Sequence, residues 1–315
     1  MVTKIKYAIK NEYSDLFDPL YENILFKSSV LNGELADDLL KALFEFSELP
    51  TNLSRLCEIL EDDFSDAKQV AEIIELNPGL AGRVLKLVNS AFYGVRGQIS
   101  DLRRAVGLMG FNSIRSLLIG ASVFMGARSL RLPDEIPLKE LWRHSVAVSQ
   151  ISGYLGRRLG GVDASLLVSA GLLHDSGMLI LSTIDPVGFL RAIKGANLHG
   201  EDLLDNERVI SGLTHPLLGC MLALKWNLPK PLWQTIYYQR RPDLAHDNRS
   251  AAILMMSEYF TRKNGIGLDG QPAAEEPPAL ALDILDLDAE HARTLVNEEQ
   301  IGAVKEMTDV LADLE

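Results

Sequence analysis

The chain has 315 residues, of which 47% are hydrophobic and 23% are charged, as in an ordinary globular protein with a substantial core. The net charge of −12 is concentrated near the end, because residues 262–315 hold 4 Lys and Arg against 13 Asp and Glu. Neither the nearly neutral body nor this acidic tail carries the basic stripe of a nucleic-acid-binding protein, so we expect no nucleic-acid partner.

The beginning of the chain and its cysteines bear on location. No apolar segment of a signal peptide follows the first methionine, and no uncharged apolar stretch reaches about 18 residues, so we expect no membrane span. The two cysteines, Cys57 and Cys220, match neither a disulfide framework nor a paired zinc motif. These features predict a protein of the reducing cytoplasm.

Apolar residues recur at steps of three and four along most of the chain, which predicts helices. Capping residues and Pro or Gly separate these helices, and no useful stretch alternates with period two. A long amphipathic helix is predicted over 138–159, with His144 on its apolar face. The chain is therefore predicted to be all-α.

An apolar helix follows, capped by Asp163, and it ends in a His174-Asp175 pair. We expect Gly177 to break this helix just past the pair. Ionisable groups beside such an apolar run need a partner, either a metal ion or another polar side chain. Thr214 is predicted to cap a later helix that begins near His215.

His144, the His174-Asp175 pair and His215 come from three separate predicted helices. Imidazole and carboxylate groups together are the ligands that zinc, iron and manganese favour, and a helical bundle can bring such groups together. The alternative is that these histidines are hydrogen-bonded core residues without a metal.

Several motifs of the chain resemble the HDOD family, the HD-related output domain within the HD superfamily of metal-dependent phosphohydrolases. The segments that carry the resemblance are Asn77-Pro78-Gly79-Leu80, residues 87–93, residues 102–118, Trp142-Arg143-His144-Ser145, residues 171–177, Thr214-His215 with Gly219, and Trp226-Asn227-Leu228-Pro229. The resemblance implies a multi-helix HD-like bundle over residues 38–260.

The resemblance also divides the chain. It implies an N-terminal helical arm (1–37), an HDOD unit (38–260) made of an N-terminal helical subregion (38–130) and a degraded HD-like subregion (138–260), a linker (264–278) and acidic C-terminal helices (279–315). Asn89 and Ser90, in one of the motifs, are predicted to bond the backbone where a helix ends, with a functional contact as the alternative.

For the site, the resemblance implies a divalent metal (Fe, Mn, Zn or Mg) at His144, His174 and Asp175. Glu258 and His215 are weaker candidates; Glu258 stands where catalytic relatives carry a final Asp, and its register is open. Met178 takes the position of a Lys in the HD-GYP phosphodiesterases, and Tyr238-Gln239 lies where many HDOD members have a His pair. The site therefore looks degraded for proton transfer.

Two functions follow from the resemblance. The first is a non-catalytic signalling output module that acts through a protein partner or a nucleotide-like small ligand, with a metal as a structural element or with none. The alternative is a metal-dependent phosphohydrolase of the nucleotide or cyclic-dinucleotide phosphodiesterase type. Ligand binding in a vestigial pocket, an oligomeric assembly and simple core packing of the histidines remain open.

Overall fold

The structure is a computed structural model, and every regular element among its described residues is helical, which confirms the all-α prediction. The described residues are 39, 41–42, 66–75, 78–89, 95, 97–111, 113–114, 132, 135–136, 138–199, 202–226, 228–266 and 274–312. The predicted N-terminal arm and Ser90 lie outside them. The domain division therefore stays a prediction.

The helices are numbered in chain order and are joined mostly by short turns. They are α1 (Ala67–Glu75), α2 (Pro78–Val88), α3 (Leu102–Met109), α4 (Leu138–Leu159), α5 (Ala164–Leu173), α6 (Ser176–Ile184), α7 (Pro186–His199), α8 (Leu203–Ile210), α9 (His215–Lys225), α10 (Lys230–Tyr237), α11 (Asn248–Lys263), α12 (Ala279–Leu285), α13 (Ala289–Arg293) and α14 (Glu298–Ala312). A 3₁₀ turn, Pro242–Leu244, precedes α11.

The boundaries of α4 and α5 follow from local chemistry. The helix predicted over 138–159 is α4, and it ends at Gly160 and Gly161, whose φ angles of 65° and 74° favour glycine. The Asp163 side chain then accepts a hydrogen bond from the Ser165 backbone N–H at 2.8 Å and caps α5 as predicted. Local sequence is sufficient to end α4 and to begin α5.

Two hydrophobic cores meet at α4. The larger core contains apolar side chains from α1 through α10 together with one each from α11 and α14. The smaller one joins α4 and one side chain of α5 to α11 and the three C-terminal helices. Trp142 and Val146 of α4 belong to the first core, and Ile151 and Leu155 to the second. The acidic C-terminal helices are thus packed on the body and contribute Ile301 among other side chains to its core.

By length and composition alone, the segment Ala164–Ile184 could cross a membrane, which the sequence prediction did not recognise. This segment comprises α5 and α6, has a mean hydropathy of 1.5 over its most apolar window, and is 83% buried inside the protein over that window. Its apolar character is satisfied by packing against other helices, since α5 is apolar on every side and lies against α4.

Candidate metal centre

The His174-Asp175 pair lies in a turn between two helices. α5 ends at Leu173 and α6 begins at Ser176, so the pair itself forms the two-residue turn between the helices. The expectation that Gly177 breaks the helix was wrong, because Gly177 lies inside the first turn of α6. Both ionisable side chains of the pair are nevertheless buried, with 1% and 3% of their surfaces exposed.

Two glycines flank the pair and allow close helix crossings. A Cβ atom on Gly171 would lie 2.7 Å from the Ser149 backbone nitrogen in α4. A Cβ atom on Gly177 would lie 2.0 Å from the His215 carbonyl oxygen at the start of α9. Both distances are far below van der Waals contact, so only glycine fits at either position. The crossings bring α4 and α9 against the two sides of the turn that carries His174.

Four predicted side chains converge at this point. His144 Nε2 lies 2.9 Å from Glu258 Oε2 and 3.5 Å from Asp175 Oδ2. His174 Nε2 lies 3.1 Å from Asp175 Oδ2 and 3.6 Å from Glu258 Oε2. The site, which we call the metal cluster (His144, His174, Asp175, Glu258), is thus assembled from α4, the α5–α6 turn and α11. Glu258 therefore has the register that brings it to the site.

The hydrogen bonds of the two histidines define which ring nitrogen faces the cluster. His144 Nδ1 lies 3.0 Å from the Ile266 carbonyl oxygen, and His174 Nδ1 lies 2.8 Å from the Gly171 carbonyl oxygen. A carbonyl oxygen only accepts, so each Nδ1 carries a proton and donates it. In the neutral imidazole, Nε2 then presents a lone pair to the cluster, which is the arrangement of a metal-ligating histidine.

The residues of the cluster fit a divalent metal ion. His174 Nε2, Asp175 Oδ2 and Glu258 Oε2 are buried and have no hydrogen-bond partner of acceptable geometry. Such atoms are costly inside a protein unless a cation satisfies them. Zinc bonds of about 2.0–2.2 Å to nitrogen and oxygen place neighbouring ligand atoms roughly 3.0–3.5 Å apart. The four histidine–carboxylate distances of the cluster, 2.9–3.6 Å, have this size. The ligand atoms of His144, His174 and Glu258 all lie within 4.8 Å of one another.

The charges of the metal-free cluster also favour a bound cation. Burial disfavours the charged form of His174, but the Asp175 and Glu258 carboxylates outweigh it and raise the pKa of His174 to about 10. Burial likewise opposes the charged form of Asp175, yet the surrounding histidines, His174 above all, lower the pKa of that carboxyl well below its usual value. The cluster thus attracts positive charge, as protons or as a metal.

Glu258 has a second partner that faces away from the histidines. Arg262, one turn later in α11, forms an ion pair through Nε with Glu258 Oε1. Burial opposes ionisation of Glu258, but Arg262 and then His144 lower the pKa of the Glu258 carboxyl well below its ordinary value. The outer oxygen of this carboxylate is therefore held by Arg262, while the inner one is directed at the cluster.

His215 lies beside the cluster and faces Oδ1 of Asp175, the oxygen that points away from His144 and His174. Its Nε2 is 3.5 Å from Asp175 Oδ1. Its Nδ1 and its backbone N–H both donate to Glu207, a fully buried carboxylate, at 2.9 Å. Thr214 is the N-cap residue of α9 as predicted, but its side chain makes no capping bond, and Glu207 accepts from the first N–H of the helix instead. The sequence analysis missed Glu207, which sits eight residues before its partner.

The other motif residues either pack in the core or form hydrogen bonds with the backbone. Met178 is 1% exposed and belongs to the larger core. The Gln239 side-chain amide donates to the His174 carbonyl oxygen at 2.9 Å, so it supports the turn of the cluster. The Asn89 side chain donates to the carbonyl oxygens of Leu85 and Ile99, both at 2.7 Å, and fastens the end of α2 to the next segment.

Comparison with solved structures finds the same fold in three bacterial proteins. An HDOD domain protein of unknown function from Geobacter sulfurreducens is 21% identical, with a TM-score of 0.66 and coverage of 88% of this chain and 98% of its own. A candidate phosphohydrolase from Shewanella amazonensis SB2B is 23% identical, with a TM-score of 0.63 and coverage of 87% and 98%. A candidate signal transduction protein from Marinobacter aquaeolei VT8 is 21% identical, with a TM-score of 0.62 and coverage of 90% and 66%.

Sequence comparison adds a relative and a family. An uncharacterized protein from Treponema pallidum (strain Nichols) is 24% identical over 262 residues, which are 82% of this chain and 49% of that protein. The chain thus spans about half the length of this relative. The model of the HDOD domain matches residues 46–242, well over half of the chain. Together with the helical fold, this match shows that the chain belongs to the HDOD domain family.

Proposed function

We propose that this protein is a regulatory HDOD module whose metal cluster binds one divalent metal ion and does not catalyse hydrolysis. The observation that carries the metal site is the buried group His144, His174 and Glu258, whose ligand atoms all lie within 4.8 Å of one another. Buried atoms of His174, Asp175 and Glu258 in addition have no hydrogen-bond partner. A bound metal would supply positive charge to these ligands and hold their helices together. Manganese, iron and zinc suit the mixed nitrogen and oxygen ligands best.

The regulatory role rests on where the ligands lie. His144 and Glu258 come from α4 and α11, which both contribute side chains to the smaller core as well as to the larger one, whereas His174 and Asp175 lie at the turn between α5 and α6 in the larger core. A metal at the cluster would hold α4 and α11 to this turn. Gain or loss of the metal would change how these helices pack, and a signalling protein in the cytoplasm that contacts them would sense the change.

Two observations support a site without turnover. Met178, at the position of a Lys in related phosphodiesterases, is an apolar member of the larger core and cannot donate a proton. Gln239 lies where many HDOD members have a His pair, and its amide nitrogen donates a hydrogen bond to the His174 carbonyl oxygen. One observation favours hydrolysis as the second candidate: Glu258 supplies the carboxylate that completes the ligand set of a catalytic HD site.

Metal binding is tested by elemental analysis of the purified protein and by calorimetric titration of the metal-free protein with Mn²⁺. We expect one metal per chain for the wild type and less than about a tenth of that for His174→Ala. His291→Ala, a change at an exposed residue of α13, is the matched control and should bind like the wild type. A wild type that binds no divalent metal would refute the proposal.

Catalysis is tested separately on the metal-loaded protein. We expect no hydrolysis of nucleotides or cyclic dinucleotides above the rate of the His174→Ala variant, with Mn²⁺, Fe²⁺ or Mg²⁺ present. Turnover at enzyme-like rates of about 1 s⁻¹ or more that His174→Ala abolishes would establish the phosphohydrolase alternative.

A further inference from the structure

A cavity of about 550 Å³ opens beside the metal cluster, on the outer side of Glu258. Its wall comes from α8, the turn after α10, α11 and the segment before α12. The wall combines apolar side chains, such as Met255 and Tyr259, with four arginines. Of these four arginines, only Arg262 contacts a residue of the metal cluster.

Two of the arginines have donors to spare. Arg208 bonds Asp205 through Nη1 at 2.7 Å, but its Nε is buried and has no partner. Arg240 comes only within 3.7 Å of Asp202, which is beyond hydrogen-bond distance. A guanidinium carries five N–H donors in one plane, and a buried N–H without an acceptor is costly. The Nε of Arg208 and the guanidinium of Arg240 thus have no hydrogen-bond acceptor in the described part of the protein.

Arg262 also faces the cavity and engages Glu258 through Nε alone. Its two terminal nitrogens have no acceptor among the described residues. Arg241 differs, because both Nε and Nη2 of its guanidinium are bonded to Asp243 at 2.9 Å. Arg208, Arg240 and Arg262 are therefore the arginines with unused donors, and Arg241 is a natural control.

The acidic residues of the wall do not cancel these donors. Asp202 caps α8 by accepting from the Asp205 backbone N–H at 3.1 Å. Asp205 is the partner of Arg208, and Glu276 forms an ion pair with Arg293, which is not part of the cavity wall. Each carboxylate already has a donor of its own, and among the described residues none accepts a hydrogen bond from Arg240, from Arg208 Nε or from the terminal nitrogens of Arg262. These donors are therefore available to an added anion.

We propose that this cavity binds a small phosphate-bearing anion through Arg208, Arg240 and Arg262. Guanidinium groups bind phosphate with two parallel hydrogen bonds, and several of them converge on one ligand in phosphate sites. The apolar wall formed by Met255 and Tyr259 provides a surface for an organic portion of the ligand. A phosphate group is the shared chemistry, whether it is free or part of a nucleotide.

Arg262 couples this cavity to the metal cluster, a step that rests on the metal site proposed above. A metal ion at the inner oxygen of Glu258 repels Arg262 and weakens its hold on the outer oxygen. An anion on Arg262 offsets its charge and removes that repulsion. Anion and metal therefore favour each other's binding, and the coupling is the same in both directions.

The cavity is tested by calorimetric titration of the metal-free protein with inorganic pyrophosphate and, in a second arm, with a nucleoside diphosphate. We expect binding that Arg240→Met and Arg262→Met each weaken tenfold or more, whereas Arg241→Met stays within about twofold of the wild type. Thermal unfolding of each variant confirms that it is folded. Equal affinity for the two ligands shows that the phosphate groups alone are sufficient for binding. Tighter binding of the nucleoside diphosphate shows that the apolar wall contributes.

No binding of either ligand at 1 mM, or equal loss in Arg240→Met and Arg241→Met, would overturn the cavity proposal. Because these titrations use metal-free protein, their outcome does not depend on the metal cluster. A protein that binds pyrophosphate but not Mn²⁺ would refute the metal site and leave the anion site standing.

The coupling has its own measurement, a Mn²⁺ titration without any anion. Arg262→Met removes a positive charge beside Glu258, so we expect its Mn²⁺ affinity to exceed that of the wild type at least threefold. Arg241→Met, whose guanidinium is occupied by Asp243, should match the wild type. Equal Mn²⁺ affinity of Arg262→Met and the wild type would refute the coupling.

Discussion

The two oxygens of Asp175 face histidines in very different surroundings. On the Oδ2 side, His144 and His174 donate their Nδ1 protons to backbone carbonyls and leave partnerless atoms at the centre. On the Oδ1 side, His215 donates Nδ1 to the buried carboxylate of Glu207. The same residue types thus produce an unfinished site on one side and a completed pair on the other. The acceptor behind each imidazole decides which side needs a cation.

The largest expected effect is a loss of metal affinity on the Oδ2 side of Asp175. Asp175→Asn removes a negative ligand that touches both His144 and His174, so we expect Mn²⁺ affinity to fall by roughly 100-fold or more. His215→Ala removes a side chain that faces the other oxygen and should change the affinity less than about fivefold. Calorimetric titration of both variants measures the contrast. Equal losses would show that His215 is also a ligand.

The second prediction concerns the close crossing of α6 and α9, which brings His215 next to the turn that carries Asp175. Gly177→Ala adds a Cβ atom 2.0 Å from the His215 carbonyl oxygen, so α6 and α9 must separate. We expect a loss of about 3 kcal/mol in the free energy of unfolding, at the upper end of the effect of overpacking. The urea midpoint measures it.

A matched control for that change lies in α14. Gly302→Ala adds a Cβ atom with nothing within 4 Å, and we expect it to be neutral or to stabilise the protein by up to about 1 kcal/mol. If both alanine variants unfold at the wild-type urea concentration, the close crossing of α6 and α9 is incorrect.

The completed side is tested by Glu207→Gln. One of the two donors of His215 then faces an amide NH₂ instead of an oxygen, and we expect the free energy of unfolding to fall by about 2 kcal/mol. Metal affinity should change less than about fivefold, since the cluster keeps its ligands. Glu258→Gln is the matched variant, and there we expect the reverse pattern, a large loss of Mn²⁺ affinity.

The smallest effect, counted per pH unit, is the pH dependence of metal binding. His174 is protonated in the metal-free protein up to a pKa of about 10, and this raised pKa stabilises the fold fully below about pH 6.5 and less and less as pH rises through 10. A metal must displace that proton, so we expect Mn²⁺ affinity to rise about tenfold, or roughly 1.4 kcal/mol, per pH unit between pH 7 and 9. Calorimetry in buffers of different ionisation enthalpy counts the released proton. No proton release at pH 8 would contradict this assignment.

Much of the fold was readable from local sequence. Helical periodicity predicted α4 over its full length, and the capping residue Asp163 predicted the start of α5. Both predictions were possible because periodicity and capping depend on neighbouring residues alone. Motifs were enough to select His144, His174, Asp175 and Glu258 as candidates. Gly177 was misread as a helix breaker, since a glycine needed for close helix packing is identical in sequence to one that ends a helix.

The remaining features depend on contacts between distant segments. The sequence by itself determined which residues could serve as ligands and which stretches are helical, since side-chain chemistry and periodicity are local properties. Only the tertiary structure decided that Glu258 reaches the cluster, that His215 is bonded to Glu207, and that Arg262 faces a cavity. The direction of a buried side chain depends on helix crossings, and residues of helices far apart in the chain make those crossings.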